Sequence, residues 1–245
     1  EQYNAPHPNP ANSYGDTYGA HREFLEFSVD QHLELIEECR KNEIEYSTSV
    51  WDTTSAREIA SLKPCLIKVP SACNLHFDML DVLANDYDGE VHCSLGMTTH
   101  DEEEKIVSFF EKRGRAKDLI IYSCTSGYPV EFQDICLGEI TRLKSTFGDR
   151  VKGIAFSGHH LGIAADIAAL TLGASWVERH FTLDRTWKGT DHAASLEPDG
   201  LRRLCRDLRN VEKALGTKKQ EILPVEQVQR DKLKWRPRPS AAEAA

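Results

Sequence analysis

The 245-residue chain has no Cys-x-x-Cys pair and no Gly-x-Gly-x-x-Gly stretch. Its apolar runs all fall short of the roughly 18 residues needed to span a bilayer, and no charged-then-apolar leader opens it. Nor is there a cationic excess: 30 Lys and Arg stand against 39 Asp and Glu, a formal charge of −9. Each absence excludes something. Seven cysteines scattered without paired spacing read as reduced core residues of a cytoplasmic protein, not as a zinc ribbon or a disulfide framework. Without the glycine fingerprint, a dinucleotide-binding open sheet loses its main signature. An acidic balance does not supply the cationic surface that phosphate backbones require, so no nucleic-acid partner is expected, and no membrane partner either. The sequence opens at Glu1 without an initiator methionine, a start that reads as a cut.

What is present is a repeated alternation of short apolar runs with longer amphipathic stretches, the pattern of βα units and a parallel sheet. Ser28 with Gln31 forms a capping box for a helix through about Asn42, and Glu43–Ser49 then reads as a strand. Asp52 caps a helix to Leu62; Cys65–Val69 is a strand; a helix follows from His76 to Asp86. Further strands are expected at Glu90–Leu95, Asp118–Cys124, Val151–Ser157 and Ser175–Phe181, with helices near 99–114, 134–147, 162–172 and 199–215. Three segments result: an N-terminal loop or lid (1–27), a barrel domain with six visible βα units (28–215) and a loosely ordered tail (216–245). Polar residues at nearly every strand end favour a TIM-type (β/α)8 barrel, whose site is assembled at the C-terminal strand ends, over a doubly wound sheet. With six strands in view, the first two of eight are expected to be missing.

Two histidines stand out. His159 and His180 follow the apolar runs Val151–Phe156 and Ala174–Val177, which read as neighbouring buried strands, so their imidazoles can converge on one divalent ion and leave coordination positions open for chemistry. Glu178 precedes His180 by two residues and so shares its face. Lys68 ends an apolar strand, where a buried cation needs an anion. Thr48, Ser71, Ser94, Ser126 and Ser157 recur at successive strand ends; each alone reads as a turn or cap, and together they form a set of hydroxyl donors.

These stretches, Tyr46-Ser47-Thr48-Ser49, Ile67-Lys68-Val69-Pro70-Ser71, Ser94-Leu95-Gly96-Met97, Cys124-Thr125-Ser126-Gly127-Tyr128-Pro129, Phe156-Ser157-Gly158-His159 and Glu178-Arg179-His180-Phe181-Thr182, resemble the catalytic barrel of the sialic acid synthase (N-acetylneuraminate synthase) family over about residues 20–215. The resemblance implies condensation of phosphoenolpyruvate with an N-acylated aminosugar aldehyde, giving a nine-carbon 2-keto acid and phosphate. It implies metal ligation by His159 and His180, with Mn2+ first and Mg2+ or Co2+ as substitutes. Lys68 and the five hydroxyl residues would hold phosphoenolpyruvate, and Glu178, Asp191 and Tyr128 would face the reacting sugar. Asp191 as a surface acid and Tyr128 as a packed loop aromatic remain open alternatives. The family also implies a homodimer.

The sequence departs from the family pattern in places. Ser126 stands where many relatives carry asparagine and Gly158 where many carry aspartate, while a second phosphate-binding lysine and a sugar-side glutamate belong to strands outside this sequence. Two alternatives therefore accompany the synthase reading: a truncated barrel that binds metal and phosphoenolpyruvate without turnover, and a related metal-dependent aldolase.

Overall fold

In a computed structural model that describes residues 2–236, five parallel strands lie in sequential order. They are β1 (Leu66–Val69), β2 (Glu90–Ser94), β3 (Leu119–Cys124), β4 (Gly153–Gly158) and β5 (Val177–Arg179). Nine α-helices are described: α1 (Tyr18–Leu25), α2 (Val29–Lys41), α3 (Thr53–Ser61), α4 (Phe77–Asn85), α5 (His100–Glu111), α6 (Gly138–Phe147), α7 (Ala164–Leu172), α8 (Pro198–Ala214) and α9 (Pro224–Leu233). The result is a curled half-barrel of the TIM type, with α4 to α7 as the crossovers that parallel pairing requires.

Local chemistry explains most of the helix boundaries. Ser28 and Thr99 each accept from the third helical N–H while Gln31 and Glu102 reach back, closing the expected capping boxes of α2 and α5. Asp52 caps α3 through the Ser55 N–H at 2.8 Å. α7 stops at Gly173, whose φ of 103° gives the left-handed turn that frees the chain toward β5.

Three expectations need correction. Glu43–Ser49 is not a regular strand: it meets the sheet through the single parallel pairing of Ser49 with Lys68. Ile44 is 62% exposed, so this edge segment has little apolar surface to bury, and Glu43 turns at a positive φ of 55°. The helix expected from 134 begins at Gly138, because Cys136 takes a left-handed φ of 53°. The tail contains α9, started by Pro224 at a first-turn position where its missing N–H is harmless. Residues 237–245 of that tail lie outside the described residues. α1 lies in the segment expected to be a loop or lid without helix, and it is capped by Thr17 accepting from the Ala20 N–H at 3.1 Å.

Alternation along the strands divides the side chains between two faces. Outward, Ile67, Val91, Leu119, Ile121, Ile154 and Phe156 join the helices in the large core, with Leu80, Leu83, Ile106, Phe110, Ile140 and Leu143 among its fully buried members. Inward, the buried apolar set shrinks to Ile120, Tyr122 and Ala155. The barrel interior, usually filled by branched apolar layers, is here a thin apolar patch under a polar one.

Arg150, just before β4, ties that strand to α5 by bonding Glu104 and Glu111, each at 2.7 Å. Its guanidinium holds the Glu104 carboxyl down at about 2 and also lowers that of Glu111. Carboxylates with depressed folded values stabilise above their unfolded value of 4.5 and lose that contribution as pH falls from there toward about 2. Urea midpoints should therefore drop more steeply between about pH 6 and about pH 3 in the wild type than in Arg150→Leu.

Candidate active site

Register carries the inward face across the sheet: Lys68 lies beside His92, Ser94 beside Tyr122, Cys124 beside Ser157, and Ser157 beside Glu178. Lys68 is only 8% exposed. Its ammonium donates to Ser94 Oγ at 2.6 Å, lies 3.4 Å from Glu178 Oε2 and sits 5.0 Å from the centre of the Tyr122 ring. Ser157 Oγ donates to the other Glu178 oxygen at 2.7 Å. The anion that buried Lys68 requires is thus present in the protein, on β5, at the opposite edge of the sheet from the cation on β1. Because Ser94 Oγ accepts from Lys68, its own proton is free for an incoming anion.

The next inward positions are His159 and His180. Their ring centres lie 5.2 Å apart, and the Tyr128 ring packs against both, at 4.3 and 5.6 Å. His159 Nδ1 donates to the Thr125 carbonyl at 3.0 Å, which leaves Nε2 with its lone pair. Burial lowers the pKa of His159 against the opposing pull of the Thr125 carbonyl, favouring the neutral ring that a metal needs. His180 Nδ1 stands 3.5 Å from Asp191 Oδ2, the carboxylate-to-histidine arrangement that orients metal-binding rings.

These residues fit a divalent ion. An imidazole bound at about 2.1 Å puts its centre roughly 3.2 Å from the metal, so two rings at a tetrahedral angle stand about 5.2 Å apart. Among the described residues, no group of three or more His, Cys, Asp or Glu side chains gathers as a metal cage. Two nitrogen donors with open positions suit an ion that also takes substrate oxygen.

The hydroxyl set divides. Ser94 and Ser157 touch the Lys68–Glu178 pair directly. Ser71 Oγ lies 3.6 Å from Cys124 Sγ, and Ser126 Oγ is buried without a partner. Both hydroxyls crowd Gly96, where a Cβ would come within 2.4 Å of Ser126 Oγ and 2.5 Å of Ser71 Oγ. Thr48 is differently placed: the pairing of Ser49 with Lys68 puts Ser49 on the inward face and Thr48 on the other, and both residues line a cavity with Arg22, His32 and Trp51. The residue of this segment paired with Lys68 is therefore Ser49, one residue from the expected position. Sequence reasoning had no strand register here from which to choose between neighbours.

Reasoning from sequence also passed over Asn74, whose amide donates to the Ser94 and Gly96 carbonyls at 3.0 and 3.2 Å and fixes the end of β2. The N-terminal segment folds onto the loop that precedes Asp191. Tyr14 donates to the Lys188 carbonyl, Asn12 accepts from the Gly189 N–H at 3.4 Å, and the Lys188 ammonium lies over the Tyr14 ring. The expected pairing of Arg22 with Glu26 forms at 3.4 Å.

Gly158 has a packing reason. A Cβ there would meet Phe156 Cε1 at 2.8 Å and the His160 ring at 2.9 Å. Gly158→Ala should destabilise the protein by about 1–3 kcal/mol, read from urea denaturation, as overpacked cores do.

Comparison with known proteins follows the same lines. The chain is 37% identical over 221 residues to the N-acetylneuraminate-9-phosphate synthase of Homo sapiens, covering 90% of this chain and 60% of that protein. It is 32% identical to the N,N'-diacetyllegionaminic acid synthase of Campylobacter jejuni, covering 78% of this chain and 57% of that one. The crystal structure of the N-acetylneuraminic acid (sialic acid) synthetase from Leptospira borgpetersenii superposes with a TM-score of 0.78 at 28% identity, covering 91% of this chain and 78% of the other. The chain thus spans about 60% of the length of its human relative. The NeuB family model matches residues 1–220, and the chain belongs to the NeuB family.

Proposed function

We propose that this half-barrel binds phosphoenolpyruvate and joins it to an N-acylated aminosugar aldehyde, releasing phosphate and forming a 2-keto sugar acid. The observation that carries the reading is the convergence of Lys68, Ser94, Glu178 and Ser157 just below the His159–His180 pair, from β1, β2, β5 and β4. Relatives named as sialic, legionaminic and pseudaminic acid synthases support the class of reaction.

Lys68 would neutralise the phosphate or carboxylate of phosphoenolpyruvate, with Ser94, Ser71 and Ser126 as donors around it. Glu178, between Lys68 and Ser157, would accept a proton from the water that adds to C2, while the aldehyde oxygen takes up a proton as C3 bonds to its carbon. His159 and His180 would hold a divalent ion, Mn2+ first, which when bound polarises the aldehyde oxygen. Asp191, 3.5 Å from His180 Nδ1, would orient that ring and accept from sugar hydroxyls, and Tyr128, packed against both rings, would face the sugar. All seven cysteines are free, which supports a cytoplasmic setting.

The test is phosphate release from phosphoenolpyruvate with Mn2+ and either N-acetylmannosamine or its 6-phosphate. Addition of three carbons moves the sugar's C6 to C9, so the 9-phosphate in the human relative's name favours the phosphorylated acceptor. Binding of phosphoenolpyruvate and Mn2+ by calorimetry, with no phosphate released with either sugar, would replace this reading with that of a binding protein.

A further inference from the structure

The floor beneath Lys68 contains a polar chain that the reaction described above does not use. His92 is 1% exposed and Tyr122 3%, both on the inward face of the sheet. Tyr122 Oη lies 2.7 Å from His92 Nδ1, and His92 Nε2 lies 3.3 Å from Glu90 Oε2. The carboxylate can only accept, so Nε2 carries the proton and Nδ1 accepts from the Tyr122 hydroxyl. Burial lowers the His92 pKa, against the raising influence of Glu90, and raises that of Tyr122, so both groups stay neutral and this donor order holds. Trp176 closes the far side, its ring edge-on to His92 at 4.8 Å. Lys152 anchors Glu90 at the N-terminal end of β2 with a bond of 2.5 Å.

An apolar residue would fill this layer more simply, as in most barrels, and every buried polar group here must find a hydrogen bond to be tolerated. The chain's upper end supplies the reason. The Tyr122 ring, held by its hydroxyl anchor, stands 5.0 Å from the Lys68 ammonium, which also meets Ser94 and Glu178. An aromatic face there attracts the cation without offering it a proton acceptor.

We propose that Tyr122, anchored by His92 and Glu90, is a positioning residue that seats the Lys68 ammonium at the mouth-facing end of the floor. Its consequence for phosphoenolpyruvate rests on the function proposed above; the seating itself does not. Lysine labelled with 13C at the ε carbon reads the seating directly, with the Lys68 signal assigned by Lys68→Arg. The wild-type signal should carry a ring-current shift that Tyr122→Leu removes. Tyr122→Phe, which preserves volume, should keep part of it, and adding His92→Leu to Tyr122→Phe should change little more, because one hydrogen bond links the two residues. By calorimetry, Tyr122→Leu should weaken phosphoenolpyruvate about 3- to 30-fold, leave Mn2+ affinity unchanged, and have no further effect in a Lys68→Met background. A Lys68 signal unmoved by Tyr122→Leu overturns the proposal, as does an affinity loss that simply multiplies with that of Lys68→Met. A wild-type protein that binds no phosphoenolpyruvate while its Lys68 signal moves as described would overturn the function and leave the seating standing.

Discussion

His159→Ala and His180→Ala are each expected to abolish Mn2+ binding at micromolar metal while the far-ultraviolet circular dichroism stays that of the wild type. The site offers two nitrogen donors, and among the described residues no third His, Cys, Asp or Glu side chain stands ready to replace one that is lost. Removing an outer partner of a metal ligand costs about 10- to 100-fold in affinity. Removing one of two direct ligands should cost more than that, whereas Asp191→Asn, which alters only the partner of His180, should fall within the smaller range. The helices and the outer core lie on the opposite face of the sheet and keep the fold in these variants. Manganese paramagnetic resonance titration separates the three variants. Unchanged affinity in either histidine variant would remove the metal from this site.

What could be read from the sequence follows the range of the interactions involved. Capping boxes at Ser28 and Thr99 and the apolar strands around Ile67, Ile121 and Ala155 are local, and both the helix starts and the sheet order agree with them. The spacing of Glu178 and His180 fixed their common face for the same reason. Where neighbours across the sheet decide the outcome, the sequence was silent. Thr48 and Ser49 are equivalent hydroxyls until pairing with Lys68 chooses one face for Ser49. His92 had no partner in the sequence, because Tyr122 lies 30 residues away and meets it only through the register of β2 with β3. Left-handed turns at Glu43 and Cys136 were equally hidden, since neither residue type signals a positive φ.

Lys68→Met is the second substitution with a large expected effect, and it separates the anion pocket from the metal. The ammonium donates to Ser94 and, at 3.4 Å, to the Val69 carbonyl, and it has one counter-ion, Glu178, which Ser157 holds from the other side. In the free protein the Lys68–Glu178 pair satisfies itself; an incoming phosphate must attract the same cation strongly enough to share it. Removing one partner of a buried, hydrogen-bonded charge pair costs about 2–5 kcal/mol in binding, so phosphoenolpyruvate affinity should fall about thirtyfold or more. Lys68→Arg should rescue little of it. A planar fork cannot repeat the single-point contact between Ser94 Oγ and Glu178. Stability should suffer less than binding, because the Glu178 side chain is 34% exposed and water can solvate it once its partner is gone. Mn2+ affinity should hold within a factor of about three, since Lys68 bonds to neither histidine. Calorimetric titration of each ligand checks both halves: phosphoenolpyruvate affinity that survives Lys68→Met would move the anion elsewhere in the half-barrel, and manganese affinity that falls with it would mean that the two sites are one.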